Sequence, residues 1–155
     1  LPETRFEAAV TRAQWPARLQ RLKTGPLKDM APDADLWLDG GHNAAAGQAL
    51  ASHLAQQSLR PTYLICGMLN TKDVAGYLAP MAPYVAELFA VSIPGEANTL
   101  PAETTATAAK SVGMAATAAD TVNAAVAKIL KSDPASRILI CGSLYLAGQI
   151  LRENA

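Results

Sequence analysis

The chain has 155 residues, half of them apolar and only 17% charged, a composition that supports one substantial core and excludes a disordered polymer. Thirteen Lys and Arg cancel thirteen Asp and Glu, so nothing favours a polyanionic partner, for which a basic excess is usual. No apolar run approaches the ~18 residues of a membrane span, and no basic-then-apolar leader opens the sequence. Two cysteines, Cys66 and Cys141, are too few for a disulfide scaffold and lack C-x-x-C spacing, so a reducing cytoplasm is the expected setting. The first residue is Leu1 rather than Met, and the chain therefore reads as a piece of something longer.

Turn residues punctuate an alanine-rich sequence into alternating elements. A short helix is expected over Glu3–Ala13, ending before Trp15-Pro16 because the residue preceding proline avoids helical angles. Arg18–Lys23 alternates as a strand, and Thr24-Gly25-Pro26 turns the chain. Leu36-Trp37-Leu38 is a strand that runs into Asp39-Gly40-Gly41-His42-Asn43, and Ala44–Gln57 follows as a helix. Tyr63–Cys66 is a strand, Lys72–Leu78 a helix that Pro80 ends or bends, and Val85–Ile93 is expected to be the longest strand. Then come a helix over Glu103–Val112, a brief strand over Met114–Thr117 and a helix over Thr121–Lys131. Arg137–Cys141 is the last strand and Leu144–Arg152 the last helix. About six strands alternating with helices predict a three-layer α/β architecture with a mainly parallel open sheet. Leu64-Ile65-Cys66-Gly67 is echoed by Leu139-Ile140-Cys141-Gly142. Two interior strands that end with the same need for small residues explain that echo, at the carboxyl edge where open sheets bind ligands.

Chemistry concentrates in three of the strand-to-helix turns. Asp39-Gly40-Gly41-His42-Asn43 sets a carboxylate, two glycines, an imidazole and an amide before a helix N-terminus, which offers unpaired N–H groups to an anion. The plainer reading makes Asn43 a helix cap and His42 an exposed side chain. No G-x-G-x-x-G fingerprint occurs. Lys72 falls where a first helical turn prefers acids, which points to an anionic ligand or to a solvated lysine. Ser143 is either an N-cap or a hydroxyl that holds a carboxylate. Arg18 alone reads as a surface cation, His53 as a bland helical residue, and the cysteines as buried small apolar side chains. Nothing resembles a metal cluster, a catalytic triad or a lysine-bearing phosphate loop.

Four motifs in order resemble the C-terminal domain of folylpolyglutamate synthase/dihydrofolate synthase, relatives of the Mur peptide ligases. They are Trp15-Pro16-Ala17-Arg18-Leu19, then Leu38-Asp39-Gly40-Gly41-His42-Asn43, then Gly67-Met68-Leu69 with Lys72-Asp73, then Gly142-Ser143-Leu144-Tyr145-Leu146-Ala147-Gly148. Ala17 replaces the usual glycine of the first motif, Ala44 replaces a proline after His42-Asn43, and the stretch from Arg18 to Asp39 is longer than in many members. None of these departures removes a polar site residue.

The resemblance implies a Rossmann-like domain, residues 1–155, belonging to a longer two-domain ligase. It implies a reaction in which ATP, with Mg2+, phosphorylates a carboxylate of dihydropteroate or a folate, and the amine of L-glutamate attacks the acyl phosphate. ATP and Mg2+ would be held mainly by an N-terminal P-loop domain that this one closes over. Arg18 would contact the ATP phosphates and Asp39 the ribose, while His42, Lys72 and Ser143 would hold the glutamate. The chain itself offers no phosphate-cradling loop and no carboxylate set for magnesium, so no metal ligand and no complete catalytic set are expected within it. Two other readings compete: a free-standing small-molecule or nucleotide-binding module without catalysis, and a docking domain that uses the edge around Trp15 and the first strand.

Overall fold

Six short strands form one sheet in the order β1-β2-β6-β3-β4-β5 in the computed structural model, which describes residues 18–154. The helix expected over 3–13 and the Trp15-Pro16-Ala17 part of the first motif lie outside the described residues. In chain order the elements are β1 (Gln20–Arg21), α1 (Pro26–Met30), β2 (Asp35–Leu38), α2 (Ala44–Ala55), β3 (Thr62–Cys66) and α3 (Val74–Leu78). A 3-10 turn (Ala79–Tyr84), β4 (Glu87–Ala90), α4 (Ala102–Ser111), β5 (Ala116–Ala118), α5 (Val122–Ser132), β6 (Arg137–Cys141) and α6 (Leu144–Asn154) complete the fold. β1 pairs antiparallel with β2, and every other pairing is parallel. The expected mainly parallel α/β sheet is therefore what the chain adopts.

The three layers follow from chain direction. From β2 the chain steps through β3, β4 and β5 in one direction across the sheet, then returns to insert β6 between β2 and β3. Right-handed crossovers place the helices of the outward steps on one face and the returning α5 on the other. Leu50 and Leu54 of α2, Tyr77 and Leu78 of α3, Met81 and Ala109 pack on the first face. Leu27 of α1, Val126 and Ile129 of α5 and Ile150 of α6 pack on the second. β3 and β6, covered on both sides, are the nearly continuous apolar runs that such burial demands. Each fully buried Leu or Ile there contributes roughly 1.5–3 kcal/mol.

Several boundaries depart from expectation, each for an identifiable cause. α1 replaces a simple turn: Pro26 opens it, and the Leu27 N–H donates to Asn154 Oδ1 at 2.9 Å. α3 starts at Val74, not Lys72, because Asp73 caps it by accepting from the Gly76 N–H at 3.0 Å. β4 is shorter than the expected 85–93 and is exceeded by the five-residue β3 and β6. Val91 and Ile93 are buried without belonging to the strand, and the Ile93 N–H turns aside to Thr99 Oγ1 at 2.7 Å. The two echoing segments are neighbours, with Cys66 directly opposite Cys141. Both thiols are free and buried. A hydrogen bond to Cys141 and burial push the Cys66 thiol well up.

Candidate site at the carboxyl rim of the sheet

Parallel strands present their carboxyl ends to one rim, and β2, β6 and β3 are adjacent. The ladder continues into the turns beyond them: Asp39 N–H donates to Ile140 O at 3.0 Å, and Gly67 N–H to Cys141 O at 3.2 Å. The Asp39–Asn43 turn, Gly142-Ser143 and the 67–72 loop thus leave the sheet side by side. β1 runs antiparallel, so its beginning, next to Arg18, lies at the same rim. Gly142 has φ +106°, and a Cβ there would fall 2.7 Å from Gly67 O and 2.9 Å from Cys66 Sγ. Only a glycine lets these two turns pass so closely.

Asp39 is the most constrained of the five residues. It is 7% exposed; its Oδ1 accepts from the Leu19 N–H at 2.9 Å and its Oδ2 from the Gly41 N–H at 2.8 Å. Burial raises its pKa above the ordinary carboxylate value, opposed by those two backbone hydrogen bonds and by the nearby Arg18 guanidinium. A carboxylate has about four lone-pair directions, and the two backbone bonds use one on each oxygen. Arg18 itself is exposed, a cation available to an anion in front of the rim.

The other three residues differ among themselves. His42 is half-buried on the turn between Gly41 and the Asn43 cap. Asn43 does cap α2, accepting from the Ala46 N–H at 2.9 Å. Ser143 is 2% exposed and caps α6, its Oγ accepting from the Tyr145 N–H at 3.0 Å. Its hydroxyl proton remains available for donation, since an N-cap serine acts as an acceptor. Lys72 is half-buried and stands just ahead of the α3 cap, outside the helix.

The sequence did not reveal what braces the lysine loop. Residues 93–100 fold back over it: Asn70 N–H donates to Asn98 O at 2.8 Å, Leu100 N–H to Met68 O at 2.9 Å, and Leu69 bridges to Thr99. The pairing joins backbone to backbone across about thirty residues, so no side-chain pattern announces it. Among the described residues no group of three or more His, Cys, Asp or Glu side chains could hold a metal ion. No helix among them is long and apolar enough to cross a membrane.

An open, doubly wound α/β domain with polar turns gathered at the carboxyl rim belongs to the nucleotide- and small-molecule-binding class of folds. Within that class, residues 21–153 match the family model described as dihydrofolate synthetase, C-terminal domain, and the chain belongs to that family. It is 29% identical over 138 residues to the folylpolyglutamate synthase of Lacticaseibacillus casei, covering 89% of this chain and 29% of that one. The Mycobacterium tuberculosis folylpolyglutamate synthase complexed with ADP superposes with a TM-score of 0.74 at 26% identity, over 88% of this chain and 32% of that one. A bifunctional folylpolyglutamate synthase/dihydrofolate synthase with Mn, AMPPNP and L-glutamate bound shares the fold, with a TM-score of 0.67 at 24% identity over 88% of this chain and 31% of that one. The chain thus spans about a third of the length of these relatives.

Proposed function

We propose that this chain is the C-terminal part of a cytoplasmic ATP-dependent ligase that joins L-glutamate to dihydropteroate, to folates, or to both, through an acyl phosphate. The observation that carries the reading is the convergence of the Asp39–Asn43 turn, Ser143 and the Lys72 loop on one rim, with Arg18 beside Asp39, in a chain of the dihydrofolate synthetase family. The M. tuberculosis relative is complexed with ADP, and the bifunctional relative has a nucleotide analogue, manganese and L-glutamate bound. Nucleotide and glutamate are the ligands we assign to this rim.

The chemistry suits those ligands. Arg18, planar, permanently charged and exposed, is fit to bond phosphate oxygens and offset the charge that spreads over them during transfer. Asp39 has lone pairs left for a ribose hydroxyl. Lys72 offers a charge to one glutamate carboxylate, and the Ser143 hydroxyl and the His42 ring offer hydrogen bonds. The described residues hold no group of three or more His, Cys, Asp or Glu that could take a metal ion, and we assign Mg2+ to the N-terminal domain that would share the ATP.

Three measurements test the reading. Titrating the 155-residue chain with L-glutamate should shift the NMR signals of His42, Lys72 and Ser143; unmoved signals would remove the glutamate assignment. In the full-length ligase, Arg18→Ala should lower kcat/KM for ATP by roughly 100-fold, the effect of losing a charged hydrogen bond of about 3 kcal/mol. Normal rates would remove Arg18 from the reaction. The chain alone should show no ligase turnover, because its sequence holds no lysine-bearing phosphate loop.

A further inference from the structure

Asp39 holds two separate pieces of backbone. Its bond to the Gly41 N–H, two residues on, closes its own turn, as Asp side chains often do. Its bond to the Leu19 N–H crosses twenty positions of sequence. Leu19 has φ +46°, the one positive φ among the described non-glycine residues. A leucine in that left-handed region costs about 1–2 kcal/mol and persists only where surrounding structure holds it. Here the holding group is the Asp39 side chain. A buried carboxylate accepts the N–H of the strained residue, and the next residue back along the chain is Arg18.

We propose that Asp39 is a positioning residue that sets Arg18 and the Gly41–His42 turn in one geometry, through the two backbone N–H groups its oxygens accept. This rests on the reading of Arg18 as a phosphate contact and of His42 as a glutamate contact, and it adds a coupling between them. Charge-assisted bonds from backbone N–H to carboxylate are short and about twice as strong as neutral ones, and 2.8–2.9 Å is in that range. An asparagine at position 39 would supply one acceptor and one NH2 group, so only one of the two N–H groups could keep its partner. The latch would then open on one side even though size and shape are preserved.

The hydrogen bonds are tested on the 155-residue chain by following backbone amides against pH. Charged or titratable neighbours are Arg18 on the approach to β1, His42 on the turn and Tyr77 beneath, whose phenol is pushed well up by burial and stays neutral. A His42→Gln background removes the imidazole from the titration. The Leu19 and Gly41 amide protons should show one step with a common midpoint, and Asp39→Asn should abolish it in both. Independent midpoints, or no step in the wild-type chain, would overturn the latch.

The coupling is tested in the full-length ligase, where Asp39→Asn should raise KM for ATP and KM for glutamate together, roughly tenfold each. A rise for ATP alone is what a ribose contact without positioning gives, and it would overturn the coupling while leaving the proposed function standing. Unchanged constants for both substrates would also overturn it. Arg18→Ala, measured alongside, reports on the proposed function independently.

Discussion

The two rims of this sheet handle charge in opposite ways. At the amino rim, Asp35 of β2 is surrounded by three arginines: Arg21 at 3.1 Å, Arg60 at 3.8 Å and Arg137 at 3.8 Å. Arg137 is itself buried and donates to Thr62 Oγ1 at 3.1 Å and to Ser58 O at 3.4 Å, pinning the α2–β3 connection. Arg21 lies over the Trp37 ring at 4.7 Å, and Trp37 meets His53 edge-on. At the carboxyl rim, Asp39 takes its hydrogen bonds from backbone N–H groups and leaves Arg18 exposed. One rim spends its side chains on itself. The other satisfies its carboxylate with main chain and leaves the Arg18 guanidinium out of any side-chain pair.

Substitutions can break that contrast in order of size. Gly142→Ala should be the most damaging, losing about 3 kcal/mol or more, because the new Cβ meets rigid backbone at 2.7 Å and the φ of +106° suits no side chain. Urea unfolding reads this directly, and a cost below 1 kcal/mol would mean that the turns are not so tightly apposed. Arg137→Met should cost about 2 kcal/mol, since it strands the Thr62 and Ser58 partners while Asp35 keeps two other arginines. It should leave glutamate-induced shifts at the opposite rim unchanged. Asn43→Ala should cost about 1 kcal/mol for the lost cap of α2, measured by the same unfolding curves.

A smaller, pH-dependent effect sharpens the comparison at Asp39. Its folded pKa is raised by burial, so between the unfolded and folded pKa values the native state retains a proton that the unfolded chain has released. The contribution of Asp39 is therefore fully present below the unfolded carboxylate pKa of about 3.9 and is lost as pH rises through the folded value. The stability difference between wild type and Asp39→Asn should show that slope and then level off. A difference that is flat through the acid range would contradict the burial of this carboxylate.

What could be read from sequence divides along the range of the interactions. Asn43, Thr121 and Ser143 cap their helices through bonds to residues two or three positions on, and local chemistry of that kind is visible in the residue order. The Asp73 cap was equally local, and recognising it would have kept Lys72 out of α3. α1 depends on an asparagine 127 positions away, and the brace over the lysine loop is main chain on main chain. Val91 and Ile93 look like strand residues because both are buried, and the Val91 N–H still donates to Cys66 O at 2.9 Å where Ile93 has already turned aside. The Arg18–Asp39 neighbourhood was readable only as an implied pair of ligand contacts; that the carboxylate also grips the Leu19 backbone had no signature in the residue types.

The paired thiols of β3 and β6 give the molecule a built-in reporter. Cys66 and Cys141 are 0% and 1% exposed, out of reach of an alkylating reagent while the sheet is intact, and a hydrogen bond to Cys141 and burial also hold the Cys66 thiol protonated. Labelling in native buffer therefore counts only those molecules whose two central strands have come apart. Its rate, followed by mass, measures how often the floor beneath the carboxyl rim opens, and under the proposed function added glutamate should slow it.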